Sequence, residues 1–272
     1  MMSAPLLRLT QVKKYFPLKR GLVETLTGQP APVLKAVDDI TLDLRRGEVF
    51  GLAGESGSGK STLGRLAVRL HRPTAGTIEF EGQAIHDLPE SALRPLRRQM
   101  QTIFQDPVAS MNPRMTLLEG IGDGLKIHGL AKNERDLRTQ VGEMMEHVGL
   151  KPAEQYFTRY PHQLSGGQRQ RAVIARALVL RPRFIMADEP IAMADVSVRA
   201  VLLDLMKRLQ DEFDLTYLFI THDLSTAKYI CDRIAILYLG RIVEMGDIRS
   251  IYAAPVHPYT QGLLAAVPTP DP

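Results

Sequence analysis

The stretch GESGSGKST, Gly54 to Thr62, sets four free positions between a Gly and Gly-Lys-Ser, the spacing of a phosphate-binding loop. Gly54, Gly57 and Gly59 permit the backbone conformations that turn successive N–H groups inward, and with Glu55, Ser56 and Ser58 they form a concave nest for phosphate oxygens at a helix start. Lys60 adds a full positive charge for the outer phosphates. Ser61 offers a hydroxyl to a phosphate-bound Mg²⁺, which prefers hard oxygen ligands, and Thr62 can assist from the next position.

Further polar residues close apolar runs that read as buried strands. MQTIFQDP ends near Gln105, RFIMADEP ends in Asp188 and Glu189, and LTYLFITHD ends in His222 and Asp223. In a parallel α/β sheet, ligand groups gather at the carboxyl ends of strands. Gln105 is then placed to reach metal or water, the other choice being a plain turn glutamine. Asp188 can hold Mg²⁺ through water, Glu189 can polarise an attacking water, and His222 can sense a γ-phosphate.

A second anion cradle lies in YPHQLSGGQRQRAVIARALVLRP, where Ser165, Gly166 and Gly167 precede a helix rich in Ala, Arg and Leu. A hydroxyl, unpaired N–H groups and the positive end of a helix dipole meet there, though the same residues could serve only as a helix cap. One nucleotide does not need two phosphate cradles in one subunit. A head-to-tail dimer resolves this, each chain covering the nucleotide of the other.

These groups require an α/β core. GEVFGLA reads as a buried strand before the phosphate loop, and Leu63, Leu66, Ala67 and Leu70 follow at helical spacing. LLRLTQVKKYF alternates as an edge or hairpin strand ending in Tyr15 and Phe16. Tyr15 is the candidate for stacking on a base, against ordinary core packing. KAVDDITLDLRRGE and TAGTIEFEGQAI add strands and predict an antiparallel β lobe. Pro17 to Leu34 reads as a loop-like insertion with a short amphipathic piece at Leu22, Val23 and Leu26. From about Asn112 to Phe157 the pattern is helical. Val201, Leu202, Leu205, Met206, Leu209 and Phe213 mark one helix face, RIAILYLGRIVEMG a closing hairpin, and a short helical tail follows.

Composition narrows the partners. The 272-residue chain carries a formal charge of +4 and a sequence pI near 9.2, with LRPLRRQ the densest basic cluster. There is no helix-turn-helix signature, zinc finger or aromatic RNA-binding box, so a solvated basic face is expected and no nucleic-acid partner. No apolar run reaches bilayer length, and the start MMSAPLLRLTQVKKYF lacks the order of a signal peptide, so a cytoplasmic location is expected. The one cysteine, Cys231, excludes an internal disulfide and reads as a small core residue within a helical pattern.

Taken in order, the phosphate loop, Gln105, LSGGQ (Leu164 to Gln168), Asp188 with Glu189, Asp195 and His222 resemble the nucleotide-binding subunit of an ABC transporter over nearly the whole chain. The resemblance implies a P-loop NTPase α/β core with an antiparallel β lobe and an inserted helical subdomain. One cassette would span 1–272: core and β lobe in 1–106 and 164–246, helical subdomain in 107–163, tail in 247–272. It implies ATP with Mg²⁺, the latter on Ser61, Gln105 and Asp188, with Glu189, His222 and Gln105 catalytic. It further implies that Ser165, Gly166, Gly167 and Gln168 act on the partner's nucleotide, that Asp195 lies at the dimer seam and that Tyr15 stacks on adenine.

The insertion beginning YFPLKRG, the run FQDPVASMNPRMT and the tail HPYTQGLLAAVPTPDP are similar to the oligopeptide and dipeptide importer subgroup. That implies membrane-spanning permease subunits, a second ATPase subunit, identical or different, an extracytoplasmic solute-binding protein acting indirectly, and a peripheral place on the cytoplasmic side of the membrane. A soluble ABC ATPase working on nucleic acid or ribosomes is the competing function. The subgroup has Ser-Ala-Leu before the seam aspartate, whereas here Ala192, Met193 and Ala194 precede Asp195 and the hydroxyl is gone.

Overall fold

The computed structural model describes residues 4–18 and 32–266. Contacts divide the chain into two compact units, one of Met1–Arg45, Phe50–Leu88 and Thr221–Pro272, the other of Arg46–Val49 and Pro89–Ile220.

In the first unit, β1 (Leu7–Pro17), β2 (Val33–Leu44), β4 (Ala75–Phe80) and β5 (Gln83–Ala84) form an antiparallel sheet in the order β2-β1-β4-β5. Leu7 faces Leu44 on one side and Phe80 on the other, and Leu9 faces Leu42 and Ile78, so alternate residues at the start of β1 enter the core, followed by Val12 after the register shift. Of the two expected placements, edge or hairpin strand, the hairpin one holds: β1 pairs antiparallel with the next strand β2 and, with β4 on its other side, is interior to the sheet. A bulge around Gln11, whose φ is +49°, bends β1 and leaves Tyr15 opposite Lys35 of β2. β3 (Val49–Ala53) runs parallel to β9 (Arg233–Tyr238), which turns back antiparallel into β10 (Arg241–Asp247), the expected closing hairpin.

Helix α1 (Lys60–Ala67) buries Leu63, Leu66 and Ala67; Leu70 lies beyond its end and is exposed, contrary to the helical spacing. Later in the same unit come α7 (Leu224–Ile230), α8 (Ile248–Ala253) and α9 (Pro258–Ala265). Cys231 is buried as expected, but it follows α7 as its C-cap instead of lying inside a helix. The amphipathic piece at Leu22, Val23 and Leu26, and the end of the tail from 267, lie outside the described residues.

The second unit is built on three parallel strands, β6 (Met100–Ile103), β7 (Phe184–Asp188) and β8 (Thr216–Thr221), with β7 in the middle. Both faces of β7 and β8 are buried, as their continuous apolar runs require. The helices of this unit are α2 (Glu90–Arg97), α3 (Leu117–Ile127), α4 (Glu134–His147), α5 (Gly166–Leu178) and α6 (Val196–Phe213). Thr116 and Glu119 close a capping box on α3, and Asn133 caps α4. α3, α4 and α5 pack on one another, with Gly122 against Leu137 and Val141. On α6, Leu202, Leu205, Met206 and Leu209 are buried, while Val201 is exposed because it sits beside, not on, the apolar stripe. The basic cluster on α2 is a surface feature: Arg94 and Arg98 are exposed, and Arg97 pairs with Glu90 at 2.7 Å.

Candidate functional site

In the first unit the loop of residues 54–59 leads directly from β3 into α1. Its glycines are required by close backbone approach. A Cβ on Gly54 would lie 2.2 Å from the Leu237 carbonyl oxygen, and one on Gly59 would lie 2.2 Å from that of Ala36; both residues also have positive φ. Gly240 in the β9–β10 turn donates its N–H to the Ser58 carbonyl at 2.9 Å, so the loop is fastened to the hairpin.

Lys60 is buried, and its Nζ donates to the carbonyls of Gly54 and Glu55 at 2.7 Å each, which draws the chain around the charged amine. The Ser58 hydroxyl is buried with no protein partner, a donor set inside the loop. Ser61 and Thr62 are half-buried at the first turn of α1, while Glu55, Ser56 and Gly57 are exposed. Successive N–H groups at a helix start with a lysine above them suit an anion of several oxygens.

Tyr15 is half-buried. Its hydroxyl donates to Asp38 Oδ1, and Lys35 Nζ stands 5.5 Å from its ring centroid. Arg241 donates to Asp38 Oδ2 at 2.7 and 3.2 Å. The Tyr15 hydrogen bond, then Arg241, hold the Asp38 carboxyl below the usual carboxylate range, and the same bond raises the Tyr15 phenol. His222 is exposed just after β8. Asp223 fixes the chain there by accepting from Ser225 N and from the Thr226 hydroxyl as the cap of α7.

In the second unit Gln105 and Glu189 follow the carboxyl ends of the paired strands β6 and β7, where Ile103 faces Ala187. Gln105 Nε2 donates to Glu189 Oε2 at 2.8 Å, leaving its amide oxygen as the end that can bind metal or water. Asp188 is buried at the last position of β7. Glu189 adopts φ +48°, a left-handed conformation that costs a non-glycine residue energy, and its N–H donates to the Ile220 carbonyl at 2.9 Å.

Ser165 is the N-cap of α5: its hydroxyl accepts from Gln168 N at 3.3 Å, and Gln168 Oε1 accepts from Ser165 N at 3.1 Å. Ser165 and Gly166 are exposed at the tip, where a Cβ on Gly166 would meet nothing within 4 Å. Helix-cap geometry and a free approach for an outside anion thus coexist at one place. Asp195 is exposed at the start of α6 after a turn closed by Ala192 N to Glu189 O at 3.2 Å and Ala194 N to Ile191 O at 3.1 Å. That turn forms without a serine hydroxyl.

Three contributors were missed by sequence reasoning. Buried Gln170 on α5 donates its side-chain amide to the Pro190 carbonyl, tying the helix behind LSGGQ to the residue after Glu189. Asp38 lies in a strand pattern that gives no hint of its pairing with Tyr15. Tyr259 in the tail accepts a hydrogen bond from Glu55 N at 3.1 Å. Only the tail run HPYTQGLLAAVPTPDP pointed to the last region, and it named no contact.

Comparison with known proteins gives the chain a family. The ABC transporter family model matches residues 37–192, and that of the oligopeptide/dipeptide transporter C-terminal region matches residues 243–272. The chain is 48% identical over 272 residues to the oligopeptide transport ATP-binding protein OppF of Bacillus subtilis, covering all of this chain and 85% of that protein. It is also 48% identical to the OppF protein of Streptococcus mutans, covering 97% and 85%. Among solved structures, a dimeric post-hydrolysis state of the ATP-binding cassette MJ0796 bound to ADP and Pi superposes with a TM-score of 0.77 at 29% identity, covering 89% of this chain and 99% of that one. The α/β fold is thus that of a P-loop ABC cassette. This chain belongs to the ABC transporter family, as one of its ATP-hydrolysing subunits.

Proposed function

We propose that this chain energises the import of oligopeptides, dipeptides or a similar small solute through separate membrane-spanning permease subunits. The observation that carries the proposal is the coexistence, in one chain, of a phosphate loop and a C-terminal region similar to that of oligopeptide/dipeptide transporters. Identity of 48% to two oligopeptide transport ATP-binding proteins supports it. No helix among the described residues is long and apolar enough to cross a membrane, and on this reading the membrane-spanning subunits are other chains. On this reading the chain is one cassette: core and β lobe in 1–106 and 164–246, helical subdomain in 107–163, tail in 247–272. It sits peripherally on the cytoplasmic side, with an extracytoplasmic solute-binding protein acting indirectly.

Residues Gly54 to Thr62 hold the ATP phosphates, Lys60 supplying the charge, and Tyr15 stacks on adenine with its tilt set by Asp38. Mg²⁺, when bound, offsets phosphate charge. The oxygens of Ser61, Asp188 and Gln105 suit this hard cation, and the Gln105 bond to Glu189 leaves the amide oxygen as its ligating end. Glu189 accepts a proton from the attacking water, and His222 senses the γ-phosphate. Ser165, Gly166, Gly167 and Gln168 cap the nucleotide of a second ATPase subunit, identical or different, with Asp195 at the seam. Closure of that pair moves the permease, and hydrolysis resets it.

Purification of the tagged chain from solubilised membranes tests the assignment. Recovery of two multi-span proteins and an ATPase partner is expected. Recovery of ribosomes or nucleic acid instead would overturn it in favour of a non-transport ABC ATPase.

A further inference from the structure

The start of α9 is fixed from three directions. Glu244 on β10 accepts the N–H groups of Val256 and His257 at 2.8 and 3.0 Å. His257 Nδ1 accepts from Tyr259 N at 3.1 Å as the helix cap, Pro258 occupies the first turn where no N–H is needed, and Thr260 is fully buried. The Tyr259 ring rests on Tyr238 with centroids 4.4 Å apart. This delivers the phenol oxygen to the phosphate loop, where Glu55 N–H donates to it at 3.1 Å.

Glu55 is also the residue whose carbonyl accepts from Lys60 Nζ at 2.7 Å and from Ser58 N at 3.2 Å. One main-chain residue is therefore held by the tail through its N–H and by the lysine through its carbonyl. A loop with glycines at 54, 57 and 59 has wide backbone freedom, so an added anchor at Glu55 restricts which loop conformations keep Lys60 in place.

We propose that Tyr259 is a positioning residue of the phosphate loop: by fixing the Glu55 peptide it holds Lys60 in its phosphate-binding posture, so the C-terminal region tunes nucleotide affinity in its own chain. The proposal rests on the assignment of residues 54–62 to ATP phosphates. It gives the tail a task within the ATP site, separate from any contact with a permease.

Tyr259→Phe removes the hydroxyl and keeps the ring on Tyr238. In the full chain, fluorescent-nucleotide titration with Mg²⁺ should show affinity for ATP weakened about five-fold, the size of one neutral hydrogen bond. The melting midpoint without nucleotide should be unchanged, and amide exchange at Glu55 should quicken. Unchanged affinity together with unchanged exchange overturns the proposal. Lys60→Ala is measured alongside: if it binds ATP as wild type, the phosphate-loop assignment fails, whereas loss of binding in Lys60→Ala with wild-type behaviour in Tyr259→Phe removes only the role of the tail. Should Tyr259→Phe melt early, His257→Ala, which loosens the start of α9 without touching the loop, must also quicken exchange at Glu55, and wild-type exchange there contradicts the proposal.

Discussion

Gln105 holds Glu189 by a 2.8 Å side-chain hydrogen bond across the ends of two neighbouring parallel strands, and Glu189 meets it in a left-handed backbone conformation. On the proposed assignment Glu189 is the general base, and the Gln105 amide bonded to its carboxylate fixes where that carboxylate stands. Replacing Glu189 by Gln keeps the shape but removes the proton acceptor. Hydrolysis should slow by about 10² to 10⁴, or roughly 3 to 5 kcal/mol of barrier, while ATP still binds. Size-exclusion chromatography with the correct partner subunit, ATP and Mg²⁺ should then show a closed, nucleotide-loaded dimer. Wild-type turnover in that variant would remove Glu189 as the base.

Ser165 serves its own helix as a cap and, on the proposed assignment, the partner's nucleotide. Ser165→Arg should therefore leave ATP affinity of the isolated chain at the wild-type value and abolish ATP-driven dimer closure. Circular dichroism and nucleotide titration check the first part, and light scattering the second. Loss of ATP binding in the isolated variant would contradict action in trans.

Tyr15 offers its ring and commits its hydroxyl to Asp38. Base–aromatic stacking is worth about 1 to 3 kcal/mol, so Tyr15→Leu should weaken ATP binding by roughly 5- to 150-fold. Tripolyphosphate, which has no base, should bind the variant as it binds wild type. Equal losses for both ligands would mean that Tyr15 supports the loop and does not stack.

Asp38 sets a pH dependence. Its folded pKa is lowered, first by Tyr15 and then by Arg241, so the stability it contributes is fully present above the ordinary carboxylate value of about 3.9 and is lost as pH falls through the lowered folded value. Asp38→Asn should lower the melting midpoint at neutral pH, and the gap to wild type should narrow on acidification. A gap that widens in acid would contradict the direction of this shift.

The α/β fold and the family were legible because their carriers are local: a glycine-lysine loop after a buried strand, LSGGQ before a helix, and two carboxylates closing an apolar run. What escaped was long-range. Alternation in β1 shows that one face is buried, not how many strands flank it, so its interior place between β2 and β4 could not be read. Asp38 reaches Tyr15 only through strand pairing, and Tyr259 meets Glu55 across 204 residues of chain. The left-handed Glu189 has no sequence signature at all, since side chains rarely adopt that conformation without surrounding constraint. Val201 misled because neighbouring apolar residues on a helix differ by about 100° in direction.

Peptide-driven ATP turnover in vesicles is the most direct measurement. The chain is reconstituted with its permease pair and partner ATPase, and phosphate release is followed with and without a peptide-loaded solute-binding protein. An importer ATPase should hydrolyse ATP several-fold faster with the loaded binding protein and carry labelled peptide inward, and both should vanish in Lys60→Ala. Turnover indifferent to peptide and permease, or stimulated instead by RNA or ribosomes, would contradict peptide import.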